Sequence, residues 1–559
     1  MHLRTLLASA IAFACAPLAP ASDWYFTGVA GTGWYDEIYV GTDPGGHTIY
    51  TNNWGITGVR PLAYPGSSDN VFFSSVGTAS LNYATAGVAD VSVTGSTLRV
   101  ENGAVLTVHG TSLFNNGTVT IAFGGFAGYG QIAAAGPLLL SGTGQLLFSG
   151  GSLTGGTITQ SADHLIHGSS GYIDTALVNH GIVHADVSGG WLQVRGAVTN
   201  DGTLKASNTA RLELRNDVIQ SGSGVIHSDG GTVYLVNNTV TGGTLRSNSG
   251  YDIEVAGGAT GTIGDLTIDG TVRARNVNTR LILSGSNITN NGRIISTENT
   301  GMGAGQMRVD SDVTLDGIGE IWCRTLLFSD STNTLTNGLN HTIRYGDESS
   351  GTGLLDAALV NHGLVRSDYP NKIIALSAEA KTNHGRMEAT NGGILELRCP
   401  ITQSHTAVVA ANGGTVRLNG VRLVGGEVTG TSGWFIDSTG GSSSIFDNLT
   451  NTGYVRMLNH GAVLTVRGTI TNHGTIELYP NTGMGAGRIK IDQPGVQFQG
   501  TGELLARSEI FSDVGLGLLN GPGHTLAGNG NIEVPVTNQG IRAAQQHQPR
   551  QLSHHQLFP

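Results

Sequence analysis

Apolar and polar residues alternate in short runs along most of this chain. In Trp191-Leu192-Gln193-Val194, Arg211-Leu212-Glu213-Leu214, Thr232-Val233-Tyr234-Leu235 and Asp252-Ile253-Glu254-Val255 every second residue is apolar, and Leu192, Leu212, Val233 and Ile253 stand 20, 21 and 20 residues apart. Such alternation puts Leu212 and Leu214 on one side of a strand and Arg211, Glu213 and Arg215 on the other. A second series interleaves with the first at Ile182 to Ala185, Thr203 to Ala206 and Val225 to Ser228. A third runs through Ala197 to Asn200, Asp217 to Gln220 and Thr239 to Thr241. Each beat of about 20 residues therefore holds up to three short strands, the mark of a stacked repeat.

Turn residues separate the strands. Asn-x-Gly begins at Asn115, Asn179, Asn200, Asn290, Asn361, Asn383, Asn451, Asn472 and Asn538, and Gly-Gly pairs begin at Gly230, Gly242, Gly413 and Gly425. Both Asn and Gly tolerate the positive φ of a tight corner, which is the role expected of them here. The pattern predicts an all-β, right-handed parallel β-helix. Residues 85–540 would give about 22 coils over a length on the order of 100 Å. A string of β-sandwich domains is the competing reading. It calls for strands of varied length around an aromatic core, whereas aromatics are 6% of this chain and sparse in the repeats.

A longer repeat overlies the short one. Asn299 to Gly305 recurs letter for letter at Asn481 to Gly487, and Leu177 to Gly181 recurs at Leu359 to Gly363, both at an offset of 182, while Leu212 to Arg215 recurs at Leu395 to Arg398 at 183. The unit amounts to about nine coils. Its Gly-Met-Gly-Ala-Gly loops, with a counterpart at Phe126 to Gly130, are expected to protrude on one side and are the candidates for contact loops. A strand follows Gly305, and no Lys-Ser/Thr does, so a phosphate loop is excluded.

Composition narrows the function. Gly is 86 of 559 residues and charged residues are 12%, but the regular Val, Ile and Leu alternation is not that of a disordered chain. Net charge is −11 without a basic run, which counts against nucleic acid and anionic membrane as partners. Arg4, the apolar stretch Leu6 to Ala16 and the small residues of Ala19-Pro20-Ala21 read as a secretory signal over 1–21, with a mature start near Ser22. Cys15 lacks a good lipobox before it, and no later run is long enough to span a membrane as a helix. Cys323 and Cys399 lie between three and four coils apart, too far for a disulfide. Alignment of the copies sets Cys323 in an apolar slot and Cys399 in a turn.

Residues 22–84 differ from the rest. They hold twelve of the 34 aromatic residues, among them Trp24, Phe26, Trp34 and Phe73. A β-helix needs a cover over its first coil, so this region is expected to be a cap; a sugar-stacking surface is the alternative. Asn53-Trp54, Pro65, Asp69 to Phe73, Leu98-Arg99-Val100 and Gly103 to Val108, together with Gly523 to Ile532 and Asn538-Gln539-Gly540, resemble bacterial exported β-strand-repeat proteins. These are the autotransporter-passenger-like and PEP-CTERM-associated solenoids. The resemblance spans about residues 50–540 and implies a secreted or cell-surface rod of adhesive or matrix-forming kind. The chain departs from the family at its C-terminus, where neither a barrel nor a sorting tail is recognisable. Residues 541–559 lack alternation and are expected to be a disordered or aberrant tail, leaving a coil edge open to end-to-end self-association.

Candidate chemistry is sparse. Asp310-Ser311-Asp312 is the densest acid group, and its counterpart is Asp492-Gln493-Pro494, so it is not a repeated device; Asp229, Asp437 and Asp447 are scattered. His180, His362, His384, His460 and His473 fall in Asn-His-Gly. His362 and His384 are one coil apart and could stack, but two imidazoles lack further metal ligands. The sequence assigns no catalytic, cofactor-binding or metal residue. It reads as an exported non-catalytic solenoid of structural, adhesive or surface-matrix role, with surface components as partners. A polysaccharide-binding or polysaccharide-degrading β-helix is the alternative.

Overall fold

The structure is a computed structural model that describes residues 64–74, 77–124, 128–275, 277–297, 303–347 and 351–543, with 23–26, 34–35, 37–42, 48–52, 54–56 and 301. The expected signal segment and the tail beyond Ala543 lie outside the described residues, as do Asn299, Thr300, Met302, Phe126 and Ala127. The described residues form an all-β parallel solenoid of about 22 turns, 21 residues apart, without helix. From Asn70–Phe73 onward the strands pair in parallel with strands one turn on, which removes the sandwich alternative; the antiparallel strand pairs lie before it. The chain divides into two units, Met1–His184 and Ala185–Pro559.

In the first unit, Asp23–Phe26 pairs antiparallel with Trp54–Ile56 and parallel with Asn70–Phe73, which in turn stacks on Val91–Glu101. Parallel stacking thus begins upstream of residue 85. Phe26 and Trp34 pack on Phe73 with ring centroids 5.6 and 5.8 Å apart, and all three are buried. This aromatic cluster is consistent with the cap expected over the first coil. Val91–Glu101, Ser112–Ala122 and Gln145–Gly155 are 11-residue strands. Each pairs with separate strands at its two ends and so serves two faces of the coil.

The second unit settles into three short strands per turn. Trp191–Val194, Val198–Asn200 and Thr203–Ala206 each pair in parallel with the strand three places later, and this rule holds to the end of the unit's stacked strands, with only the final turn reduced. In the first sheet Leu192, Leu212, Val233, Ile253 and Val272 stand in register and are buried. Each such side chain contributes roughly 1.5–3 kcal/mol, so these aliphatic columns are the main stabilising term.

The Asn-x-Gly corners differ from expectation. None of their asparagines has positive φ. All but Asn538 are fully buried with the side chain turned inward, Asn115 within the strand Ser112–Ala122 and the others at the end of a strand. There they form amide ladders from coil to coil: Asn337 Nδ2 donates to Asn361 Oδ1 at 2.7 Å, Asn361 to Asn383 at 2.8 Å and Asn383 to Gln403 Oε1 at 3.2 Å. The glycine is required by close approach: a Cβ on Gly385 would lie 2.3 Å from the Gly363 carbonyl oxygen. The Gly-Gly pairs are the positive-φ corners, as at Gly230 and Gly413.

The long repeat differs as well. From Gln306–Val309 to its counterpart Arg488–Ile491 is 25 strands, which is eight turns and one strand. Gln306–Val309 therefore shares a sheet with Thr475–Leu478, while Arg488–Ile491 falls in the next sheet round. Equivalent strands of the two copies in unit two thus lie one sheet apart, whereas the expectation that the loops share one side falls partly on residues outside those described. Both cysteines are unpaired, as the coil count implies. Cys399, however, is buried, and burial raises its thiol pKa; the Cys323 thiol is pushed up to about 12 for the same reason. Pairing continues past Gly540, where Ile541–Ala543 stacks on Thr525–Gly528.

Candidate functional site

The outer face of the first sheet of unit two carries a belt of charged and aromatic side chains. Alternation turns Trp322, Arg344, Arg366 and Glu388 outward in parallel register. Most of the charge is spent between coils. Arg366 and Arg386 both hold Glu388, at 2.7 and 2.5 Å, and Arg344 joins Glu320 to Asp368 at 2.9 and 2.5 Å. In the next sheet Arg456 grips Asp437 through two bonds of 2.7 Å.

The belt has one place with spare capacity. Trp322 lies between Arg293 and Arg324, whose guanidinium carbons are 4.7 and 4.8 Å from ring centroids. The indole Nε1 donates to Glu320 Oε2 at 2.6 Å. Arg293 reaches Glu320 only at 4.0 Å, and its side chain is half exposed. It borders a cleft of about 490 Å³ whose other walls include Ser247, Asn248, Thr271, Asn291 and Glu320. Burial alone would raise the Glu320 carboxyl, but hydrogen bonds from Trp322 and Arg344 and the charges of Arg344 and Arg293 outweigh it and hold the group below the ordinary carboxylate value. A carboxylate kept ionised can accept hydrogen bonds and pair with cations; it is a poor proton donor at neutral pH. With hydroxyls, amides, a carboxylate and the guanidinium groups of Arg293 and Arg344, the cleft has the chemistry of a binding surface. Sequence reading missed it. Its signal was the outward Glu320 and Trp322, one coil from Arg293 and one from Arg344.

Apart from one histidine pair, the residues singled out in the sequence are not brought together. Asp310 pairs with Arg308 at 3.0 Å, and Asp312 accepts the Thr334 N–H at 2.8 Å. Asp229 is bonded to Lys205, and Asp447 to Arg422. His362 and His384 do stack, with centroids 4.9 Å apart and planes at 16°, and both are exposed. His180, His460 and His473 also point outward. Among the described residues no group of three or more His, Cys, Asp and Glu is placed to hold a metal ion, and no helix is long and apolar enough to cross a membrane. In the loop 480–487, Asn481 Oδ1 accepts the N–H groups of Gly483 and Gly485, and Met484 is exposed. Of the cap aromatics, Tyr25 and Tyr35 show part of their rings to solvent. No family model matches this sequence, and no curated protein matches it.

Proposed function

We propose that this chain is an exported, non-catalytic scaffold of a cell surface or extracellular matrix, of the bacterial β-strand-repeat kind. The observation that carries the reading is where the polar side chains go. Amides, guanidinium groups and carboxylates bond one coil to the next, as in Arg366–Glu388–Arg386. Such bonds stiffen a stack in which each repeat otherwise touches only its neighbours. Incubation with soluble polysaccharides should release no reducing ends; release of reducing ends would overturn the non-catalytic reading. Export is tested by expressing the whole chain in a secreting bacterial host. The exported protein should begin near Ser22, and retention in the cytosol with residues 1–21 intact would contradict it.

A second reading, polysaccharide binding, is favoured by the cleft lined by Arg293 and Arg344, with the Trp322 ring stacked under Arg293. Affinity electrophoresis against acidic and neutral polysaccharides tests it. Retardation that R293A abolishes supports it, and retardation unchanged in R293A contradicts it.

A further inference from the structure

Three buried histidines, one in each copy of the long repeat, close the same motif. They are His164, His341 and His524, each four residues after Gln160, Asn337 or Asn520. In each case an asparagine two coils earlier points its amide at the ring. Asn115, Asn290 and Asn472 place Nδ2 3.1, 2.9 and 3.0 Å from the histidine Nε2. The same Nδ2 also donates to a carbonyl of the coil between, on Gln145, Glu320 or Glu503. One amide and one imidazole thus staple three consecutive coils.

The network fixes which atoms carry protons. Asn290 Oδ1 accepts Gly292 N–H, Asn115 Oδ1 accepts Gly117 N–H and Asn472 Oδ1 accepts Asn451 Nδ2, so none of the three amides can flip without losing a bond. Each Nε2 must therefore accept, and the neutral ring carries its proton on Nδ1. In two copies that proton is given to the asparagine four residues back, at 2.7 Å for His341 and Asn337 and 2.6 Å for His524 and Asn520. A second proton would set N–H against N–H at Nε2.

We propose that these histidines are an acid-operated release: protonation of each imidazole breaks its staple, so that the stack loosens at three places one long repeat apart. The groups facing the rings leave little to oppose this. His524 meets Asn472, Asn520 and the Phe498 ring; His164 meets Asn115 and, through its carbonyl, Gln160; His341 meets Asn290, Asn337 and the Glu320 carboxylate. Burial lowers all three to about 4, and it outweighs the pull of Glu320 on His341.

Carboxylates titrate in the same range, so the test compares the chain with H164Q/H341Q/H524Q, in which glutamine supplies a neutral acceptor that does not titrate. Amide hydrogen exchange is followed at pH 7 and pH 4.5, corrected for intrinsic rates. The unaltered chain should open at least about tenfold more readily at pH 4.5 in the coils around each histidine, and the triple variant should lose that acid-induced opening. Equal acid-induced opening in both proteins would overturn the proposal. Should the variant not fold, histidine ring NMR of the unaltered chain decides. Three rings that remain neutral with Nδ1–H until the fold opens support it; three that protonate while the coils stay closed overturn it.

Discussion

The buried imidazoles tie stability to pH by a definite sign. Their folded value is about 4 against about 6.5 in the unfolded chain. The unfolded state binds more protons between those values, so their contribution is complete above pH 6.5 and is lost as pH falls toward about 4, at about 1.4 kcal/mol per pH unit for each ring. The three copies are not equal. Gln160 replaces asparagine in the first, and among the described residues Gln160 Oε1 and His164 Nδ1 have no hydrogen-bond partner. Gln160→Asn should supply the bond that Asn337 and Asn520 make, and raise local stability by about 1 kcal/mol. Hydrogen exchange around His164 checks it, and a loss of protection would contradict it. In the sequence the conspicuous histidines are those of Asn-His-Gly, which face outward and draw attention away from the buried ones. The recurrent Gln/Asn-x-x-x-His is the signal. Lys381 is equally hidden: it stands in a column between Leu359 and Ile401, and its ammonium is buried against the carbonyls of Ala357, Ser377 and Glu379. Nothing in a Lys-Thr-Asn strand separates an inward from an outward lysine.

For the strands and corners, period-2 alternation was sufficient, because one face is dry and the other wet. It placed Leu212 and Leu214 inside and Arg211 outside. It could not place the strand-final asparagines, since a polar residue at a corner is as compatible with solvent as with a buried ladder. The ladder makes a quantitative demand. Asn361 Nδ2 donates to Asn383 Oδ1 and to the Gly363 and Arg386 carbonyls, and its Oδ1 accepts from Asn337. Asn361→Leu, similar in shape and apolar, leaves buried partners on both adjacent coils unsatisfied and should cost about 2–4 kcal/mol locally. Exchange rates of the amides in Thr334–Asn337 and Lys381–Asn383 report it. A change below about 0.5 kcal/mol would mean that the ladder is dispensable and the corners are held by glycine packing alone.

Over the whole molecule, what could be read from the sequence was the period, and what could not was the phase. The offset of 182 residues suggests whole coils, but coil length varies with its loops, so residues cannot be converted to turns without counting strands. The count of 25 between equivalent strands rotates each copy, so the Glu213 position lies in the first sheet and the matching Glu396 in the second. The central claim, a stack of parallel strands one turn apart, rests on register and can be tested in register. Trp191, Arg211 and Thr232 occupy one column on three consecutive coils of unit two. Adjacent strands lie about 4.8 Å apart and next-nearest ones about 9.6 Å, on either side of the ~7 Å limit for a disulfide. Mild oxidation of dilute protein should therefore form an intramolecular bridge in W191C/R211C and in R211C/T232C, but not in W191C/T232C. Efficient bridging of W191C/T232C, with none in the two adjacent pairs, would contradict the parallel solenoid.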